Sequence, residues 1–460
     1  MTIKEFKNLN TKIYEETLPC GLKIYICPIE RHETHARIVS KFGGSYLEFK
    51  KPNSDEFVKV PAGTAHFLEH KMFEQEDGID IMDIFQKNGA LSNAFTSSFH
   101  TTYFFTSPNH FYDNLTYLLK CVTEPYYTDE NVKKEVGIIE QEIKATLDNP
   151  NYKAYYTTIY NLFQKLPFRF PVAGSVESIK QINKEVLYDC YKTFYHPSNM
   201  YLVITGNVEP KKCINFIKDF YLKLNLKKEN PIIIKKYNEP NEVYKTKEIV
   251  NKNITNKIID IAYKLNYTAI NLPLYKIGLY LHIYMHIRFG TISKFNKATF
   301  KDKNIIRPVD FNYIIINDEF IMLELDTEVI SEKGIFELIH NNLCLKEMKE
   351  EEFELIKKNL LKSLVLSTDN VSSLANLIDN SLKLYNEIQY NAHQSILELN
   401  FNELKKVINS LDFSNHTMTI VQKGWFKKIN IIKKSEIVFS DFFFKNKVNT
   451  SDIWYNLIGK

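Results

Sequence analysis

Apolar and polar residues alternate from Lys12 through ETLPCGLKIYICP, around a turn at Cys20-Gly21, and a period of two marks a strand with one buried face. A β-hairpin is therefore predicted near the start of the chain. Residues 36–42 (ARIVSKF) and 101–106 (TTYFFT) repeat the strand signal. Residues 62–74 and 79–88 instead carry the helical period of three to four. A further helix over 110–122 sets Phe111, Leu115, Leu118 and Leu119 along one stripe, and a longer one over 129–147 ends at Asp148-Asn149-Pro150. The run NMYLVITG at 199–206, set off by His196-Pro197, predicts a central strand.

Between about 225 and 247 the composition turns polar around NEPNEVYK, as in a linker. The order then resembles the first half: a strand at 258–265, a long helix at 272–287, strands at 309–316 and 320–325, four helices, and a last strand at 417–422. A chain of 460 residues exceeds one ordinary core. The pattern predicts an α+β protein built by a degenerate duplication, with domains at 1–230 and 240–460.

Hydrophobic residues at 44% and charged residues at 25% describe a folded globular chain rather than a disordered one. The net charge is only +4, and basic residues interleave with acidic ones, as in KKEVGIIEQEIK, so no nucleic-acid footprint is expected. The six cysteines are scattered without a CxxC pair and read as buried free thiols in a reducing compartment. MTIKEFKNLNTKIYEE lacks an apolar core, and no run of 18 uncharged apolar residues occurs. A cytoplasmic protein without membrane partners is expected.

The candidate chemistry lies in AHFLEH, residues 65–70. Helix positions i and i+4 share a face, so His66 and His70 can offer ring nitrogens to one Zn²⁺. Glu69 stands on nearly the same face, where it could take a proton from a water as general base without being a ligand. A catalytic zinc needs a third protein ligand. Glu142 in EVGIIEQEI is the preferred candidate. Glu135 lies two turns before it on the same side, with Ile138 and Ile139 filling the neighbouring stripe. Glu135 would then orient a ligand from behind. Glu140 is the rival ligand, rotated by about 200° from Glu142, and spacing alone does not decide between them. The histidines His100, His110, His196 and His393 form no such pattern and are assigned structural roles.

At these residues the chain resembles the insulinase-type (pitrilysin, M16) metallopeptidases with their inverted HxxEH zinc motif. LPCGLKIYICP is similar to the family's opening hairpin, GTAHFLEHKMFE to its zinc helix, SNAFTSSFHTTYFF to its active-site strand, KEVGIIEQEI to its third-ligand helix and FYHPSNMYLVITGNV to its closing strand. Together these cover most of residues 12–210, and the closest likeness is to the short bacterial YmfH-like members. The resemblance implies one Zn²⁺ per chain on His66, His70 and Glu142, with Glu135 behind them. It also implies two homologous domains, each a mixed, mostly antiparallel sheet backed by helices, facing each other around a chamber. Peptide substrate would add as a strand near 92–96, which makes Asn93, Ala94 and Phe95 candidate substrate contacts.

One departure stands out. Many members carry an arginine and a tyrosine in the second half that hold the substrate carbonyl. Here SKFNKATFKDKNIIRPVDF places Phe300 near the first slot and Arg307 near the second. The resemblance therefore implies a homodimer, or a heterodimer with a zinc-less paralogue that supplies the missing pair. Two alternatives accompany the peptidase reading: a non-cleaving peptide-binding subunit of a processing complex, and a peptidase-like factor associated with elongation factor P modification.

Overall fold

The computed structural model describes residues 1–52 and 54–424. Residues 425–460 of the expected second domain lie outside the described residues.

The first half contains strands β1 (Thr2–Phe6), β2 (Thr11–Thr17), β3 (Lys23–Pro28), β4 (Thr34–Ser40), β5 (Glu48–Lys50), β6 (Phe57–Lys59), β7 (Leu91–Thr96), β8 (Thr101–Ser107) and β9 (Met200–Gly206). Its helices are α1 (Thr64–Lys71), α2 (Ile81–Lys87), α3 (Phe111–Thr123), α4 (Asp129–Asp148), α5 (Pro150–Leu162), α6 (Val176–Ile179), α7 (Lys184–Phe194) and α8 (Pro210–Leu222). The second half contains β10 (Lys247–Lys252), β11 (Lys257–Asn266), β12 (Ile305–Ile315), β13 (Phe320–Val329) and β14 (His416–Lys423). Its helices are α9 (Leu274–Phe289), α10 (Lys294–Thr299), α11 (Ile335–Cys344), α12 (Glu350–Leu366), α13 (Val371–Tyr385), α14 (Ala392–Leu397) and α15 (Phe401–Asn409). Five helices, not the expected four, separate β13 from β14.

The first sheet runs β1-β2-β3-β9-β4-β8-β7 and the second β10-β14-β11-β13-β12. Strand β9, with every residue buried, is the fourth of seven and so central, as its apolar run predicts. The pairs β3/β9 and β10/β14 are parallel, and the pairs that follow them in each sheet are antiparallel. The second sheet thus repeats β3-β9-β4-β8-β7 strand for strand, and the duplication is visible in the hydrogen-bond ladder itself.

The two halves exchange helices. Helix α5 lies on β11 and β14 of the second sheet, where Thr158 Oγ1 donates to Thr419 Oγ1 at 2.8 Å. Helix α13 lies in return on β4 and β9 of the first. There Asp379 accepts from Arg37 at 2.8 Å and from Tyr201 Oη at 2.6 Å. The polar segment between the sheets is strapped down rather than loose. Glu239 is buried, pairs with Lys264 at 2.7 Å, and accepts from the backbone N–H groups of Gln164, Lys165 and Leu166. A buried charge needs such partners. Among the described residues no helix is long and apolar enough to cross a membrane.

Candidate active site

Helix α1 begins at Gly63, whose φ of 98° is left-handed and whose added Cβ would stand 2.7 Å from the Ala173 carbonyl oxygen; only glycine meets both demands. Phe67 and Leu68 are fully buried and pin the helix by one face. His66, Glu69 and His70 occupy the other, with the imidazole centroids 4.6 Å apart. Helix α4 is started by Thr128 through a reciprocal cap with Asn131 and held by buried Val132, Ile139 and Ile143. Ile138 does not share that stripe; it faces outward, 44% exposed, because the buried face of the helix runs through Val132, Glu135, Ile139 and Ile143.

This packing brings Glu142 to the histidine pair. Its two oxygens lie 3.6 Å from His66 Nε2 and 3.5 Å from His70 Nε2. Glu135, only 5% exposed, sits 2.9 Å from His70 Nδ1. Glu140 points elsewhere, to Lys144 at 2.6 Å and Lys180 at 3.2 Å. Among the described residues, His66, His70 and Glu142 form the group able to hold a metal ion, their donor atoms within 4.8 Å of one another.

Three carboxyl groups surround the two imidazoles, and their field favours a cation. A carboxylate only accepts, so His70 Nδ1 carries a proton toward Glu135, and in the neutral ring this leaves the lone pair on Nε2. Burial, with the His70 charge adding, lowers His66 to about 3, so that ring is neutral. Its Nδ1 is buried without a hydrogen-bond partner. Two imidazole nitrogens and a carboxylate converging in this way are a donor set of zinc type. Burial opposes a charge on His70, but Glu135, Glu69 and Glu142 outweigh it and raise its pKa. Burial raises Glu142.

Glu69 is half-buried, and desolvation lifts it to about 6 against the pull of Thr96 and His70. Thr96 Oγ1 donates to Glu69 Oε2 at 2.5 Å. This threonine was not singled out in the sequence; its signal was its place on Ala94's side of β7, two residues on. Among the described residues, strand β7 is the sheet edge, paired only with β8. Side chains alternate along it, so Ala94 and Thr96 face α1 while Asn93 and Phe95 face away. Lys383 of α13 lies over the Phe95 ring at 4.9 Å. Of the three candidate substrate contacts, Ala94 alone offers its side chain to the site; Asn93 and Phe95 offer backbone. Phe300 is 84% exposed at the end of α10, and Arg307 on β12 is paired with Asp326.

Residues 59–166 match the family Insulinase (Peptidase family M16), and residues 181–285 match the Peptidase M16 inactive domain. A solved structure described as an M16-like peptidase, from Alicyclobacillus acidocaldarius, superposes with a TM-score of 0.85 at 26% identity. It covers 91% of this chain and 100% of the other. The chain belongs to the insulinase-type M16 family. Among other M16 relatives, YmfH of Bacillus subtilis, named an uncharacterized zinc protease, is 43% identical over 47% of this chain and 50% of its own. AlbF of the same organism, also named a zinc protease, is 29% identical over 44% and 48%. The chain spans about half the length of these curated relatives in the matched regions. A protease from Helicobacter pylori shares the fold, with a TM-score of 0.78 at 18% identity over 90% of this chain and 99% of the other.

Proposed function

We propose that this M16 protein is a zinc-dependent endopeptidase that hydrolyses peptides or unfolded segments bound as a strand along β7. The observation that carries the reading is the convergence of His66, His70 and Glu142 beside a half-buried Glu69 that Thr96 holds by a hydrogen bond. Zinc on those three residues would supply Lewis acidity toward a water and the scissile carbonyl. Glu69 takes the proton of the attacking water and later gives it to the leaving amine, a task suited to a carboxyl lifted toward neutrality. Glu135 fixes the His70 ring by accepting its Nδ1 proton. The edge of β7 supplies main-chain hydrogen bonds that align the peptide.

The arginine and tyrosine absent at Phe300 and Arg307 leave the substrate carbonyl short of donors, so the full enzyme is proposed to be a dimer, with a zinc-less M16 paralogue supplying them. A fully active monomer or homodimer would exclude this. The same gap supports a second reading, a peptide-binding subunit that does not cut.

Metal analysis and peptide cleavage separate the two. About one equivalent of zinc with turnover is expected, and the Glu69→Gln variant should keep its zinc while losing at least roughly 10²-fold in activity. Wild-type cleavage by that variant would remove Glu69 as the base. A protein that carries less than about half an equivalent of zinc would be the binding subunit.

A further inference from the structure

The duplication sets α9, α12 and β12 of the second domain where α1, α4 and β7 stand in the first. The registers agree. Tyr313 pairs with Leu323 one alternation before the β12–β13 turn, as Ala94 pairs with Tyr103 before the β7–β8 turn. Along α9, His282 and His286 stand one turn apart with centroids at 4.3 Å, the counterpart of His66 and His70. The third element differs. Where α4 offers carboxylates, α12 offers Leu360 and Leu364, and these line a cavity of about 100 Å³ together with Leu279, His282 and Tyr313.

That cavity is built for an apolar guest. Burial holds the His282 ring well below its ordinary pKa, so it brings no charge. The volume is several times what one water requires, and apolar walls give water few partners; cavities of about this size take up benzene. Tyr275, Gln389 and Ser395 border both this cavity and an outer vestibule of about 800 Å³. The vestibule carries Glu5, Glu387 and Glu398 against Lys7, so its field favours a cation.

We propose that the second domain binds a small amphipathic amine, its apolar body of about six carbons in the cavity and its ammonium among the vestibule carboxylates. Glu5 belongs to β1 and Glu387 follows α13, so the ligand would touch both domains. The proposal is independent of the zinc site.

Calorimetric titration of the full chain with n-hexylamine, n-hexanol and n-hexanoate at matched ionic strength tests it. Hexylamine should bind about three-fold more tightly than hexanol, the worth of a partly exposed ion pair, and hexanoate more weakly than either. Ala392→Phe, which fills the cavity from α14, should abolish binding of all three. Glu387→Gln should narrow the gap between amine and alcohol. If Ala392→Phe fails to fold, Leu364→Phe fills the same space from α12. Hexanoate binding as tightly as the amine, absence of amine binding at millimolar concentration, or binding that survives a folded cavity-filling variant would overturn the proposal.

Discussion

Glu135 shows how much of the site rests on a residue that would touch neither metal nor substrate. Its carboxylate is buried against His70 Nδ1 at 2.9 Å and so decides which nitrogen of that ring keeps its lone pair. Glu135→Gln should weaken zinc affinity by about 10- to 100-fold, measured by chelator competition, while Glu140→Gln, whose partners are Lys144 and Lys180, should leave it unchanged. Equal affinities in the two variants would contradict this division of roles. His66, Glu69 and His70 were legible because one helix turn joins them. Glu142 was legible only through family resemblance, since periodicity allowed Glu140 as well. Thr96 was not legible, because a hydroxyl that donates across from another element leaves no pattern in its own.

At the scale of elements, β7 combines an open edge with a face that holds Glu69. If peptide substrates pair with that edge, their own N–H groups carry part of the binding. A peptide N-methylated at alternate positions near its cleavage point should then show a raised KM in one register and little change in the other. Uniform loss at both registers, or none, would speak against strand addition. Two of the strands that the pattern left out share a cause. β1 (TIKEF) is exposed at all but Phe6, and β10 (KEIVNK) alternates exposed with half-buried residues. Edge strands bury little, so they carry a weak apolar period, whereas β4 and β9 bury every residue and were readable.

The whole molecule adds what no local period encodes. Each sheet is covered in part by a helix from the other half, and such pairings depend on contacts hundreds of residues apart. The α13 contact buries His35 beside Arg37 and Asp379, and it sets Lys383 near His100 in the β7–β8 turn. Burial first, then the neighbouring cations, pushes His35 well below its ordinary value and His100 to about 3. In the unfolded chain both would titrate near about 6.5. Below that pH the unfolded state binds more protons than the folded one, so stability is full above about 6.5 and falls as the medium turns acid. Each histidine contributes a slope of about 1.4 kcal/mol per pH unit once well below 6.5. Asp379 is also depressed: burial opposes its charge, but Lys383 and Arg37 prevail. Its contribution therefore holds until the pH falls below about 3.9 and is lost beneath that. The two histidines should make the thermal midpoint decline from about pH 6.5 downward, in a range where Glu69 also titrates. His100→Gln should reduce the slope between pH 6 and 5 by about one proton's worth, whatever it does to stability at pH 7.5. An unchanged slope in a folded variant would mean that His100 is protonated in the native protein and that α13 does not seal this end of the first sheet.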